Sequence, residues 1–363
     1  MCGRIDVIIL ARKNKLMDNC PIDLKMGKII PIILLSFWLF SCSDEHDDLV
    51  MFKYDTEVIA VFSPYGVGDQ TNAGLIYKGI VKATDSLNLS FRPIFPLTYE
   101  EGAKTIAQLT ANNQPGRKRL IISTDPGYSD YLRTLASDGL ILDSDSTKLL
   151  VIDGDFTHPD VYTAHVPLYG VMFKAGYVAS SMSDVENVRI YIANNKYRYI
   201  REGRDGFIDG FSLNNKGNIE VIDLSDVNDD ATEGFQGSTW AYAVYAPECH
   251  KVCDMVLPLC GETIMGFLRY NREFPGSFYT VGVENDMSVY SSDVPFSCVE
   301  HLDNVLVSCI TDWSKNRLTR QRTFRMDEGW VDLVISENYK HLLAPIAEEI
   351  HAQAVEMEDR YAN

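Results

Sequence analysis

From residue 58 onward, short apolar runs alternate with longer stretches in which apolar positions recur every three to four residues. The run VIAVFS at 58–63 reads as a buried strand, and RLIIS at 119–123, KLLVID at 148–153 and the stretch 90–96 read as further strands. Between them, 73–86 (with Leu75, Ile76, Ile80 and Ala83 at helical spacing), 99–111 and 130–137 read as helices. After 162–167 the rhythm restarts. A Gly- and Ala-rich helix at 170–182, suited to close packing, leads into strands at 188–193, 218–224, 255–259 and 277–283 and helices at 204–212, 239–253 and 263–270. A strand at 296–301, a helix at 303–313, an extended polar stretch at 323–334 and a long helix at 344–360 complete the chain. Such alternation predicts an α/β fold with parallel sheets. Two successive sets of strands fit two Rossmann-like lobes better than one large sheet, and ligands to such sheets sit beyond the carboxyl ends of the strands.

The first 55 residues follow another pattern. An almost unbroken apolar run at 29–40 is preceded by Met26-Gly27-Lys28 and followed by Ser41-Cys42. Its length suits the apolar core of a secretory signal and falls short of the roughly 20 residues a bilayer span needs. The end of the run, Leu39-Phe40-Ser41-Cys42, resembles a bacterial lipobox, which implies that Cys42 is the lipidation site and the first mature residue. Met26 is the expected true start, with residues 1–41 as the signal region. The acidic run Ser43-Asp44-Glu45-His46-Asp47-Asp48 reads as a solvated tether over 42–55. It also resembles the export signal of surface lipoproteins in Gram-negative bacteria, so the expected location is the cell envelope, at the outer membrane or cell surface.

Charge narrows the partners. Residues 1–41 hold six Lys/Arg and three Asp/Glu, so removing them takes the formal charge from −18 to −21. A chain this acidic repels phosphate backbones, which argues against nucleic acid, and leaves the lipid as the link to the membrane. Besides Cys42 the mature part has Cys249, Cys253, Cys260, Cys298 and Cys309, an odd number of thiols. Cys249-His250-x-x-Cys253 supplies two thiolates and an imidazole without a second cluster to complete a tetrahedron, and reads better as buried side chains on a helix. The nucleophile elbow G-x-S-x-G, H-E-x-x-H and the P-loop are absent. His158 and His165 with Asp153 and Asp155 could form a hydrolytic cluster, but nothing specific supports one. No enzyme activity and no cofactor are expected.

Several segments together are similar to the basic membrane protein family of nucleoside-binding lipoproteins. Asp69-Gln70-Thr71-Asn72-Ala73, with Gly79 ten residues after Asp69, resembles the family's D-x-S-F-N-Q segment and its glycine. Gly176-Tyr177-Val178-Ala179 resembles the Y-L-A-G helix and 206–210 the G-F-x-x-G helix. The strand 255–261 ends in glycine as the family's does, 281–286 resembles I-G-V-D-x-D, and Ser297, Val299 and Asp303 match S-x-V-K-x-x-D. The resemblance implies a periplasmic binding protein type I fold whose chain crosses between lobes near 166–170, 284–288 and 326–332. The N-terminal lobe would be 56–165 plus 287–326, and the C-terminal lobe 166–286 plus 327–363. It further implies a monomeric receptor that serves an ABC permease and its ATPase.

A nucleoside needs flat apolar faces and acceptors for paired hydroxyls. Asp69, Glu284 and Asp286 follow strand ends and are the candidate carboxylates; each could instead cap a turn or helix. Glu284 matches the family's ribose-binding aspartate, and Asn72 would act as the amide. Tyr65, Phe156 and Trp240 are the candidate ring platforms, although a lone aromatic is more often core. Glu300 stands where the family has lysine, a full charge reversal. A sugar or other metabolite, presented to a sensor or surface transporter, is the alternative ligand class.

Overall fold

The computed structural model describes residues 55–67, 72–112, 116–139, 144, 146–214, 217–227, 234–235 and 237–362. All belong to the compact unit Tyr54–Asn363. The expected lipidation residue Cys42 and the candidate Asp69 lie outside the described residues.

The first half builds a parallel sheet. Strands β1 (Thr56–Val61), β2 (Ser90–Ile94), β3 (Lys118–Ser123), β4 (Thr147–Ile152) and β5 (Tyr162–His165) pair in the order β5-β4-β3-β1-β2. Helices α1 (Asn72–Leu87), α2 (Tyr99–Ala111) and α3 (Ser129–Ser137) connect them. Val58, Ile59, Ala60 and Val61 are wholly buried, as are Leu120, Ile121 and Ile122, so both sheet faces are covered and the strands carry no polar alternation.

The chain then crosses to a second lobe. Helices α4 (Tyr169–Ser181) and α5 (Arg198–Ser212) pack along each other, and β6 (Asn187–Ile192), β7 (Asn218–Asp223), β8 (Met255–Leu259) and β9 (Tyr279–Thr280) form a parallel sheet in the order β7-β6-β8-β9. A Cβ on Gly176 or Gly210 would overlap backbone of the facing helix. The Gly- and Ala-rich stretch foreseen at 170–182 is therefore what lets the two helices touch. Residues 238–252 form the helix α6, with a π turn at Ala241–Tyr245, followed by α7 (Ile264–Glu273).

The single strand foreseen at 277–283 is two. After β9 the chain leaves that sheet, and β10 (Gly282–Glu284) joins a three-stranded sheet with β11 (Phe296–Glu300) and β13 (Val331–Ile335). β13 runs antiparallel to β11. Between them, α8 (Leu302–Ser314) returns to pack on α1, and β12 (Gln321–Thr323) adds to the edge of the first sheet beside β5. The polar stretch 323–334 thus holds the end of one strand and most of another, in different sheets. The terminal helix is also two, α9 (Lys340–Glu349) and α10 (His351–Ala362), separated at Ile350.

The chain passes between the lobes three times, the first at 166–168 and the third between β12 and β13. The second lies at His301 and not at 284–288, because Phe296–Glu300 hydrogen-bonds to both β10 and β13 before the chain turns into α8. The crossings are tied together. The His301 N–H donates to Trp330 O (3.0 Å), and its Nε2 lies 3.1 Å from Asp332 Oδ2. Glu358 on α10 accepts from Gly170 N (3.2 Å) and lies near Arg325, so the C-terminal helix fastens the first crossing to the third.

Candidate functional site

Strand ends from both lobes converge on one cleft. The first lobe contributes Ser63 after β1, Thr124 and Asp125 after β3, and Asp153 after β4. The second contributes Tyr197 and Tyr199 after β6, Gly261 and Glu262 after β8, and Glu284 at the end of β10. Asn72, Ala73 and Ile76 of α1 form one wall and Phe235 another. The open volume is about 120 Å³. One water needs roughly 10–15 Å³, so the space suits a small molecule.

Glu284 is the residue that spans the cleft. Its Oε2 accepts from the backbone N–H of Asn72 at 2.8 Å, a bond between residues 212 positions apart. The acceptor sits at the first turn of α1, where unsatisfied N–H groups favour negative charge. The backbone that carries this carboxylate is strained. Glu284 has φ of +72°, and Asn285 N donates to Val283 O at 2.9 Å, closing a three-residue γ-turn around it. This turn is rare for an L-residue, and strain of this kind collects at functional sites. Burial pushes the Glu284 carboxyl up to about 7, against the Asn72 N–H that favours its charge.

A second carboxyl lies behind the first. Glu300, at the end of β11, is 3% exposed. Burial holds its pKa well above the usual carboxylate range, and the nearby Asp153 and Glu284 push the same way, while the Asn72 side chain opposes them. Asp153 also lines the cleft. It accepts from Val166 N (2.8 Å) and lies 2.9 Å from His165 Nδ1, whose Nε2 is 3.1 Å from Glu202 Oε1 on α5. Both ring nitrogens meet carboxylate oxygens, and only the imidazolium can donate twice. Burial works against that charge, but the bonds to Asp153 and Glu202 outweigh it and raise His165 to about 9.

On the opposite side, Asp125 accepts from Gly127 N (2.7 Å) and from the Tyr99 hydroxyl (3.1 Å), and burial raises its pKa. The rings form a row. Tyr65 stands edge-on to Tyr99 at 5.9 Å and 6.3 Å from Phe235; Tyr197 lies 5.6 Å from Phe235 and 6.0 Å from Tyr199.

Of the residues singled out from the sequence, Tyr65, Asn72 and Glu284 come together in this cleft. The others that are described do not. Asp286 is exposed and caps the turn Met287–Val289 by accepting from Ser288 N at 3.0 Å, because the γ-turn at Glu284 redirects the chain. Phe156 is buried in the first lobe beneath Arg133 and borders a separate cavity near the crossings. Trp240, on α6, is 56% exposed and away from the cleft. Sequence reasoning missed Asp125, Tyr197 and Tyr199, and weighed Asp153 only as part of a hydrolytic cluster; Asp125 and Asp153 follow apolar strands, whereas Tyr197 precedes α5 and Tyr199 lies in its first turn. The strand-end rule that selected Glu284 would have selected the two aspartates too. Phe235 carries no such signal. The five thiols are free and buried; Cys249 Sγ lies 3.2 Å from the Tyr191 hydroxyl.

The fold is shared with solute receptors. An ABC solute-binding protein from Aeropyrum pernix K1 superposes with a TM-score of 0.63 at 13% identity, over 84% of this chain and 85% of that one. A transcriptional activator of the comK gene from Bacillus halodurans gives 0.62 at 13%, over 83% and 97%. An ABC solute-binding protein from Agrobacterium vitis with bound allitol gives 0.58 at 11%, over 80% and 98%. No curated protein matches the chain in sequence. A family profile described as ABC transporter substrate-binding protein, PnrA-like, matches residues 56–358, nearly all of the two lobes. The chain belongs to this Bmp family of ABC transporter substrate-binding proteins.

Proposed function

We propose that the chain is a lipid-anchored extracytoplasmic receptor that captures a nucleoside-like ligand in the interlobe cleft and delivers it to an ABC permease. The observation that carries this reading is the meeting, in one cleft, of the Glu284 carboxylate with Tyr65, Tyr197, Tyr199 and Phe235. Rings offer stacking faces, and a carboxylate accepts from paired hydroxyls. A phosphate would meet several carboxylates and no basic side chain among the described lining residues, so nucleosides are favoured over nucleotides. Anchoring through Cys42 would keep the receptor at the envelope, where no described helix is long and apolar enough to span a membrane.

A sugar or polyol is the second reading, favoured by the allitol in the Agrobacterium vitis relative of the same fold. A thermal-shift screen of the full chain against nucleosides, nucleotides, sugars and polyols separates the two. A ligand at a hundredfold its Kd adds about 2.7 kcal/mol of stability. Shifts with nucleosides alone support the first reading; shifts with polyols alone replace it by the second.

A further inference from the structure

At the Asn72 wall of the cleft, and at Glu300 behind it, buried acceptors are left without partners. Glu300 Oε1 and Asn72 Oδ1 are both buried without a hydrogen-bond partner, although buried acceptors are nearly always satisfied. Glu284 and Asp153 lie close enough to act on Glu300 electrostatically, and Asp125 and Glu262 add two more carboxylates to the lining. No Lys, Arg or His is among the described lining residues. Three cations stand around the cleft, each with a partner: His165 between Asp153 and Glu202, from where it also acts on Glu300, Arg198 on Glu202, and Lys196 over the Tyr197 ring at 4.9 Å, from where it acts on Asp125. Where the family resemblance leads one to expect lysine, the chain places the glutamate whose oxygen is left unpaired.

An acidic lining would mean little by itself. Here it is joined by two orphaned buried acceptors and by a row of four rings whose faces attract positive charge. Among the described residues no three His, Cys, Asp or Glu side chains gather in an arrangement that could hold a metal ion, whereas the rings suit an organic cation. We infer that the cleft takes a small organic cation, its positive charge lying between Glu284, backed by Glu300, and the rings of Tyr65, Tyr197, Tyr199 and Phe235. This rests on the reading of the cleft as the ligand site and narrows its ligand class.

Calorimetric titration of the full chain with nicotinamide riboside, a nucleoside with a permanent positive charge, tests it against neutral inosine and against choline. Nicotinamide riboside is expected to bind at least tenfold more tightly than inosine. Glu300→Gln, which keeps the shape and removes the carboxyl's capacity to ionise beside a bound cation, should cut that preference tenfold, and Glu300→Lys should reverse it. Choline binding without either nucleoside would keep the cation and discard the ribose. Inosine binding as tightly as nicotinamide riboside in the native chain would overturn the cation inference and leave the cleft reading standing. Binding by none of the three would overturn both. The native chain's own selectivity decides the matter even if a variant fails to fold.

Discussion

Glu284 serves the cleft at a cost to the fold. Its carboxyl titrates near 7 in the folded chain, against an ordinary value of 4.5. The stability it contributes is therefore complete below the ordinary value and is lost as pH rises through 7. A shift of that size corresponds to about 3 kcal/mol. Glu284→Gln keeps an acceptor for Asn72 N and removes the buried charge. It should stabilise the chain by about 1–3 kcal/mol at pH 8 and by much less at pH 5, in urea denaturation at the two values. The same variant should lose ligand affinity tenfold or more. Equal stabilisation at both pH values would mean that burial does not hold the carboxyl up. The sequence pointed to Glu284 because an apolar strand stops there, but not to its left-handed backbone, which follows from the γ-turn. Asp286, two residues on, carries the same type of signal and caps a turn, since which side chain faces the cleft is set by that turn and not by residue type.

Among the elements, those buried on both faces were the most legible. β1, β3, β4, β6 and β8 read as plain apolar runs because nothing interrupts their cover. The division of 279–284 between two sheets left no mark, since Tyr279, Val281 and Val283 stay apolar on either side of the change. β12, three residues at a sheet edge, has too little apolar content to register. Helix contacts were legible only through glycine. A Cβ on Gly79 would overlap the backbone of Asp303, so α1 approaches the start of α8 more closely than any other residue would permit. Gly79→Ala should cost about 1–3 kcal/mol by overpacking, read as a lower denaturation midpoint with an unchanged slope. At Gly210, where a Cβ would overlap Phe173 O, alanine should act similarly on the α4–α5 pair. A neutral outcome at either site would show that the helices can part without loss.

For the whole molecule, pH acts through the groups beside the crossings. His165 is raised to about 9, so the stability it adds is complete below 6.5 and is lost as pH rises through 9. Glu358 is raised to about 7 by burial, against Arg325 and the Gly170 and Met326 N–H groups, and its contribution is lost between 4.5 and 7. Glu202 runs the other way. Burial opposes its charge, but His165 and Arg198 prevail and hold its pKa down, so its contribution is lost on acidification. The melting temperature should peak at mildly acidic pH and decline toward pH 9. His165→Gln should flatten the decline between 7 and 9; an unchanged slope would remove His165 as its source. The two-lobed plan was readable from the alternation of elements, and the place of the second crossing was not, because β11 looks alike in either lobe until its partners are known.

The ties among the crossings also constrain how the receptor can move as a mechanical body. His301 fastens the second strip to the third, and Glu358 fastens the third to the first. Three strips clamped side by side form a band that bends across its width and resists twisting. Such a band leaves the lobes essentially one coordinate, the angle between them. A single pair of spectroscopic labels, one on each lobe, would then follow the whole transition, and two pairs set at right angles should trace one curve.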